Sequence, residues 1–294
     1  MHFLLLCILS STGIFIIFKS LDRFNIPTFP VILVNYLLAT ILGFVINPGQ
    51  ARITEVRNAE WLSFSILIGV LFIIMFFLVA YSSQKAGISV TTVASKMSVI
   101  FPIIFSMLID QGDYLTLVKG AAILFTLCGV SLTVYNPQKE GKSKRAVLYI
   151  PLLLFVGMGL VDSLVKFAQH HYVSDQDTAL FSAVLFLNAF IAGLLILFFT
   201  PRYFRSFKKP KVWGWGILLG AVNFGSIFFL VRALNFTSER GNMIDSSVIF
   251  GINNTGIVAL SVLIGLLVFG ERLKPINWVG ISLSALALIL FSLG

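Results

Sequence analysis

The sequence predicts an all-α integral membrane protein with ten transmembrane helices, arranged as two inverted five-helix repeats. Three observations carry this expectation. Of the 294 residues, 58% are hydrophobic and only 11% charged, with a mean hydropathy of +0.98. That leaves too little polar side chain to cover a soluble globule of this size. The apolar residues are gathered into stretches near the roughly 17–25 residues that cross hydrocarbon. The pattern also repeats. Gly112-Asp113 precedes Lys119-Gly120 and an apolar run to Val134, while Gly270-Glu271 precedes Val279-Gly280 and a run to Leu293. Ile217-Leu218-Leu219-Gly220 echoes Ile66-Leu67-Ile68-Gly69, and Phe228-Phe229-Leu230-Val231 echoes Phe76-Phe77-Leu78-Val79. Duplicated blocks of spanning segments are how many secondary transporters are built.

The ten stretches run from Phe3 to Phe18, Phe29 to Ile46, Trp61 to Tyr81, Ile88 to Ile109, and Tyr114 to Tyr135 in the first half. In the second half they run from Ala146 to Phe167, Ala179 to Thr200, Val212 to Val231, Met243 to Phe269, and Pro275 to Leu293. The first has no basic start and no small-residue cleavage site, so it reads as a retained helix and not a signal peptide. Turn-prone or charged breaks separate the stretches at Asn25-Ile26-Pro27, Asn47-Pro48-Gly49, Asn136-Pro137 and residues 202–211. Residues 1–135 form the first repeat, the basic segment 136–145 joins the halves, and 146–294 form the second repeat. Five helices per half start the second repeat from the opposite membrane face, the arrangement that gives a carrier two access states.

The net charge of +9 suits orientation and contact with anionic headgroups, and no aromatic-basic motif points to nucleic acid. Loops after the odd-numbered helices hold 14 Lys and Arg, those on the other side 6. By the positive-inside rule both termini lie outside.

With these features the chain resembles the drug/metabolite transporter superfamily, in particular its ten-helix EamA type. The residues that carry the resemblance are Gly112-Asp113 with Gly120 and Gly129, and Phe269-Gly270-Glu271-Arg272-Leu273 with Gly280. Asp113 departs from the Glu of the family pattern. The resemblance implies a carrier of small polar metabolites in an inner or plasma membrane, with a central cavity walled by both halves. It also implies cytoplasmic termini, the reverse of the charge count.

Polar residues inside spans are the candidate site, because an ionisable group at a helix centre costs roughly 2.5–3.5 kcal/mol and must face a cavity or a partner. Ser89, Thr92 and Lys96 fall on one helix face. Lys96 reads either as a ligand for a carboxylate or phosphate or as half of an ion pair. Asp162 is a candidate for proton or substrate contact, with Lys166 one turn on and Gln169 beyond it. Asp245, flanked by Asn242 and Ser246, reads as a helix cap or a proton site. Asn253 and Asn254 offer amides to a polar ligand, on the helix that is the repeat counterpart of the one bearing Lys96. Asn223, in a small-residue stripe with Gly216 and Gly220, and Tyr36 are weaker binding candidates, both equally suited to packing. Cys7 and Cys128 read as small buried side chains, and His170-His171 as a loop pair unsuited to metal.

No nucleotide-binding loop, metalloprotease or hydrolase motif occurs, so neither an ATP-driven pump nor an enzyme is expected, and no cofactor. The leading expectation is a secondary or facilitative transporter, exporter or exchanger, of small polar metabolites such as amino acids, with proton coupling open. Two alternatives are a carrier of phosphorylated or nucleotide-linked sugars and, from another class, a membrane-embedded enzyme acting on a lipid or prenyl phosphate.

Overall fold

The computed structural model describes residues 2–46, 56, 59–109, 116–135, 142–173, 178–234 and 246–293. Among them the regular elements are all helical. They are α1 (His2–Arg23), α2 (Thr28–Ile46), α3 (Leu62–Lys85), α4 (Ile88–Met97), α5 (Ile100–Ile109) and α6 (Leu117–Val134). There follow α7 (Lys142–Tyr172), α8 (Thr178–Phe199), a 3-10 helix η1 (Pro201–Lys208), α9 (Pro210–Leu234), α10 (Ser246–Leu267) and α11 (Pro275–Leu293). Six of them, α1, α2, α3, α6, α8 and α9, are long and apolar enough to cross a membrane. Shorter apolar segments lie at Ile88–Ile104, Tyr149–Val165, Ile252–Leu267 and Pro275–Phe291. Leu195, Phe198, Phe199 and Leu267 are exposed, as expected of side chains that meet lipid rather than water.

Two segments depart from the sequence expectation. The fourth stretch is not one helix but two, α4 and α5, broken at Ser98 and Val99. Pro102 is the reason: it has no N–H for the Ser98 carbonyl four residues back, and its ring crowds that carbonyl. Phe101 instead donates to it at 3.0 Å, a tighter turn. The joining segment is also shorter than 136–145. Backbone from Lys142 is already helical, and α7, 31 residues long, continues through Pro151 to Tyr172. Lys and Arg are good helix formers, so polar composition ends a span without ending its helix. His170 and His171 therefore sit in the last turns of α7, not in a loop.

The main core cluster joins both halves, with Phe18, Ile32, Tyr36, Ile88, Met97, Leu154, Leu219 and Ile257 all nearly inaccessible. A second cluster, around Trp61, Ile68, Val161 and Phe181, seals α3 against α7 and α8. Small residues let backbones close on one another. A Cβ at Gly220 of α9 would lie 2.9 Å from the Asn35 carbonyl oxygen on α2, and one at Gly129 of α6 3.0 Å from the Gly280 carbonyl oxygen on α11. The small-residue stripe of Gly216 and Gly220 is thus a packing surface.

Candidate functional site

Four helices meet at the centre: α4 packs on both α7 and α10, and α1 packs on α10. Helical spacing turns Lys96, next to last in α4, inward beside the break that Pro102 imposes. The Lys96 side chain is half-buried, as is Asp162 on α7. Lys96, Asp162 and the Cys7 sulfur of α1 lie within electrostatic reach of one another. Among the described residues no ion pair or hydrogen bond closes on the Lys96 ammonium. The Ser98 hydroxyl lies 2.6 Å from the Ser95 carbonyl and 3.2 Å from Asp162 Oδ2, one proton serving two acceptors. The Cys7 thiol donates to the Ser226 carbonyl at 3.2 Å.

Among the described residues several buried polar atoms have no hydrogen-bond partner, Thr92 Oγ1 on α4 and Asn253 Oδ1 and Thr255 Oγ1 on α10 among them. Leaving such a group unsatisfied costs about 1–3 kcal/mol, so each is a position where water or a polar ligand gains a bond. Gly265 of α10 stands level with Ser89 of α4, where a Cβ on it would lie 2.7 Å from the Ser89 hydroxyl. At about 1.5 Å per residue Lys96 is roughly 10 Å deeper than that level and Asn254 roughly 16 Å. The amides of α10 therefore sit about one helical turn beyond the lysine. The groups that α4, α7 and α10 contribute here are a cation, a carboxylate, and unpartnered hydroxyl and amide oxygens.

Other sequence candidates are already engaged. Asn223 donates to Asn35 Oδ1 at 3.1 Å, an interhelical bond between α9 and α2, and Tyr36 is fully buried and donates to the Phe72 carbonyl at 2.9 Å. Both hold helices together. Ser89, expected beside Lys96 and Thr92 in a ligand stripe, instead donates its hydroxyl to Glu271 at 2.7 Å. Asp245 and Asn242 lie outside the described residues. Cys7 is buried as expected, whereas Cys128 is exposed.

Glu271, quoted from the sequence only as part of the repeated motif, makes a contact that its position there does not indicate. Its carboxylate also accepts from the backbone N–H groups of Ile88 and Ser89, capping the first turn of α4 from the far half of the chain. Gly87 has φ +104 and Gly265 lies alongside. A Cβ on either would lie within 2.7 Å of a Glu271 oxygen, so both glycines make the cradle. Gly270, at φ +62, turns the chain out of α10 so that Glu271 points across. The signal was present: α4 opens on Gly-Ile-Ser, with no side chain of its own in the capping position.

No protein-family model matches the chain. It is 27% identical to an uncharacterised protein of Haemophilus influenzae, over 97% of its own length and 96% of the relative's. A protein of known crystal structure superposes with a TM-score of 0.55, covering 97% of this chain and 95% of that one at 12% identity. The likeness runs the whole length of both chains, and what it establishes is a common helical fold.

Proposed function

We propose that the chain is a secondary transporter, an exporter or exchanger of small polar metabolites such as amino acids, working by alternating access in an inner or plasma membrane. The observation that carries this is the pair of opposite charges, Lys96 from the first half and Asp162 from the second, half-buried at the centre without closing on each other. Two charges kept apart in a spanning region are costly unless a solute, water or proton completes them. The unpartnered Thr92, Asn253 and Thr255 atoms support the same reading.

Ten spans in two inverted repeats fit the packing. Exchanging each helix for its counterpart maps the α2–α9 contact onto α8–α3, α1–α10 onto α7–α4, and leaves α4–α10 and α6–α11 as self-pairs. Side chains follow the same rule. Gly220 of α9 abuts α2 beside Asn35, which bonds Asn223, and Gly69 of α3 abuts α8 beside Asn188, which bonds Ser65 at 2.9 Å. These relations support the EamA-type resemblance.

Asp162 beside Lys96 weighs against phosphorylated sugars as cargo, since it repels a second negative charge. No chemistry on the solute is proposed. The test is uptake of labelled metabolites into proteoliposomes by the native chain, Lys96→Met and Asp162→Asn. Solute flux that neither exchange alters removes the central pair from the site, and no flux across a broad metabolite panel removes transport.

A further inference from the structure

Positive charge is densest between α8 and α9, where Arg202, Arg205, Lys208, Lys209 and Lys211 fall within residues 202–211 without one acid. Most of this segment folds as η1, Pro201–Lys208. A 3-10 helix has three residues per turn and rises about 2 Å per residue, so side chains three apart stand in line. The geometry gathers Arg202, Arg205 and Lys208 into one exposed ridge with steps of about 6 Å. An α-helix would rotate each successive cation about 60° away from the last. Phe204 and Phe207 occupy the neighbouring stripe. Two contacts fix the ridge to the bundle. The Tyr203 ring sits 5.2 Å from that of Phe29, and the Trp213 indole donates to the Phe207 carbonyl at 2.9 Å.

Against this ridge lies a cavity of about 260 Å³ lined only by apolar side chains, Leu33, Leu37, Leu194, Leu197, Phe204 and Trp213 among them. It opens outward: Leu194, Phe204 and Trp213 are between 42% and 52% exposed. The neighbouring end of α8 presents Phe198 and Phe199 to the surroundings. A row of cations set at the mouth of an apolar slot, on the outside of a membrane-spanning bundle, matches a molecule with a phosphate at one end and hydrocarbon at the other.

We infer that η1 and this cavity form a binding site for an anionic phospholipid. The phosphate rests on the Arg202, Arg205 and Lys208 ridge, and one acyl chain fills the slot. A soluble phosphate would leave the slot empty, and a zwitterionic lipid would place its own cation against the ridge. The site lies apart from Lys96 and Asp162 and stands whether or not the chain moves a solute.

Trp213 lines the slot and reports its occupant. The experiment reconstitutes the full chain in phosphatidylcholine vesicles and titrates in lipid brominated on its acyl chains. The Trp213 signal is isolated by difference from Trp213→Phe. Brominated phosphatidylglycerol is expected to quench at a mole fraction at least about tenfold lower than brominated phosphatidylcholine, since each basic residue near the surface contributes roughly a fivefold preference. Arg202→Gln, Arg205→Gln and Lys208→Gln together should abolish the preference, and Leu194→Phe, which fills the slot, should weaken quenching by both lipids. Unchanged thermal midpoints establish that these surface variants are folded. Equal quenching by the two lipids, or a preference that survives the triple exchange, overturns the site.

Discussion

Replacing Lys96 by Met keeps the reach of the side chain and removes only its charge. The exchange leaves Asp162 as an uncompensated carboxylate inside the bundle, and Asp162→Asn does the converse. Each single variant should therefore lose both thermal stability and uptake, the latter by more than tenfold. The double variant should recover stability but not uptake, because removing both charges leaves no uncompensated buried charge and restores no ligand site. Thermal unfolding in detergent alongside proteoliposome flux checks this, and a double variant that transports would make the pair a mere structural bridge. Asn223→Leu is the contrasting case. It breaks only the bond to Asn35, so stability should drop by about 0.5–1.5 kcal/mol, read from unfolding midpoints, while uptake persists. Sequence alone separated these two residues imperfectly, and for a physical reason. A lysine inside an apolar run has few inexpensive places to go, so Lys96 stands out at once. An asparagine or a tyrosine has many, and only the opposite helix decides whether Asn223 meets Asn35 or a solute. Ser89 shows the same limit: its spacing from Lys96 was readable, but the reach of Glu271 from 182 residues away was not.

At the scale of elements, the most consequential contact is Glu271 on the first turn of α4. Its two oxygens accept from two backbone donors and one hydroxyl, and its charge faces the positive end of the helix. Glu271→Ala should cost about 1–2 kcal/mol and speed amide exchange selectively at Ile88 and Ser89, while exchange across α9 stays unchanged. Uniform protection after the exchange would mean that α4 does not depend on the cap. The same helix ends at the break set by Pro102, so α4 is a short rod, tied at one end to the far half and carrying Lys96 near the other. Element existence was readable from hydrophobic run length at all ten stretches. The break within the fourth was not, because Pro102 lies among residues as apolar as any other in the run. Helix ends were the least readable, as η1 and the charged start of α7 show: charge marks where hydrocarbon stops and says nothing about where backbone hydrogen bonding stops.

For the whole molecule, the contacts between helix ends sort the loops onto two faces. Lys19 at the end of α1 donates to the Gln84 carbonyl at the end of α3, and Gln84 reaches back to Thr28 at the start of α2. Tyr203 after α8 packs on Phe29, and Glu271 after α10 accepts from the Ile88 N–H at the start of α4. The turns after α1, α3, α8 and α10 thus share one end of the bundle. At the other end Trp61 before α3 packs on Phe181 of α8, Phe64 stacks with Tyr172 at the end of α7, and Leu4 of α1 clusters with Ala233 and Ile249. The end of α1 and the end of α7 therefore lie at opposite ends of the bundle. With Cys7 and Cys128 replaced by Ala, single cysteines at Arg205 and Arg272 should react with a membrane-impermeant maleimide from one side only. Cysteines at Glu60 and Tyr172 should react from the other. By the positive-inside rule the face with the excess of basic residues is expected to be cytoplasmic, so Arg205 and Arg272 should label in inside-out vesicles and be protected in intact cells. If positions 205 and 172 label from the same side, the two halves enter the membrane in the same sense, and a carrier that alternates by exchanging their conformations is ruled out.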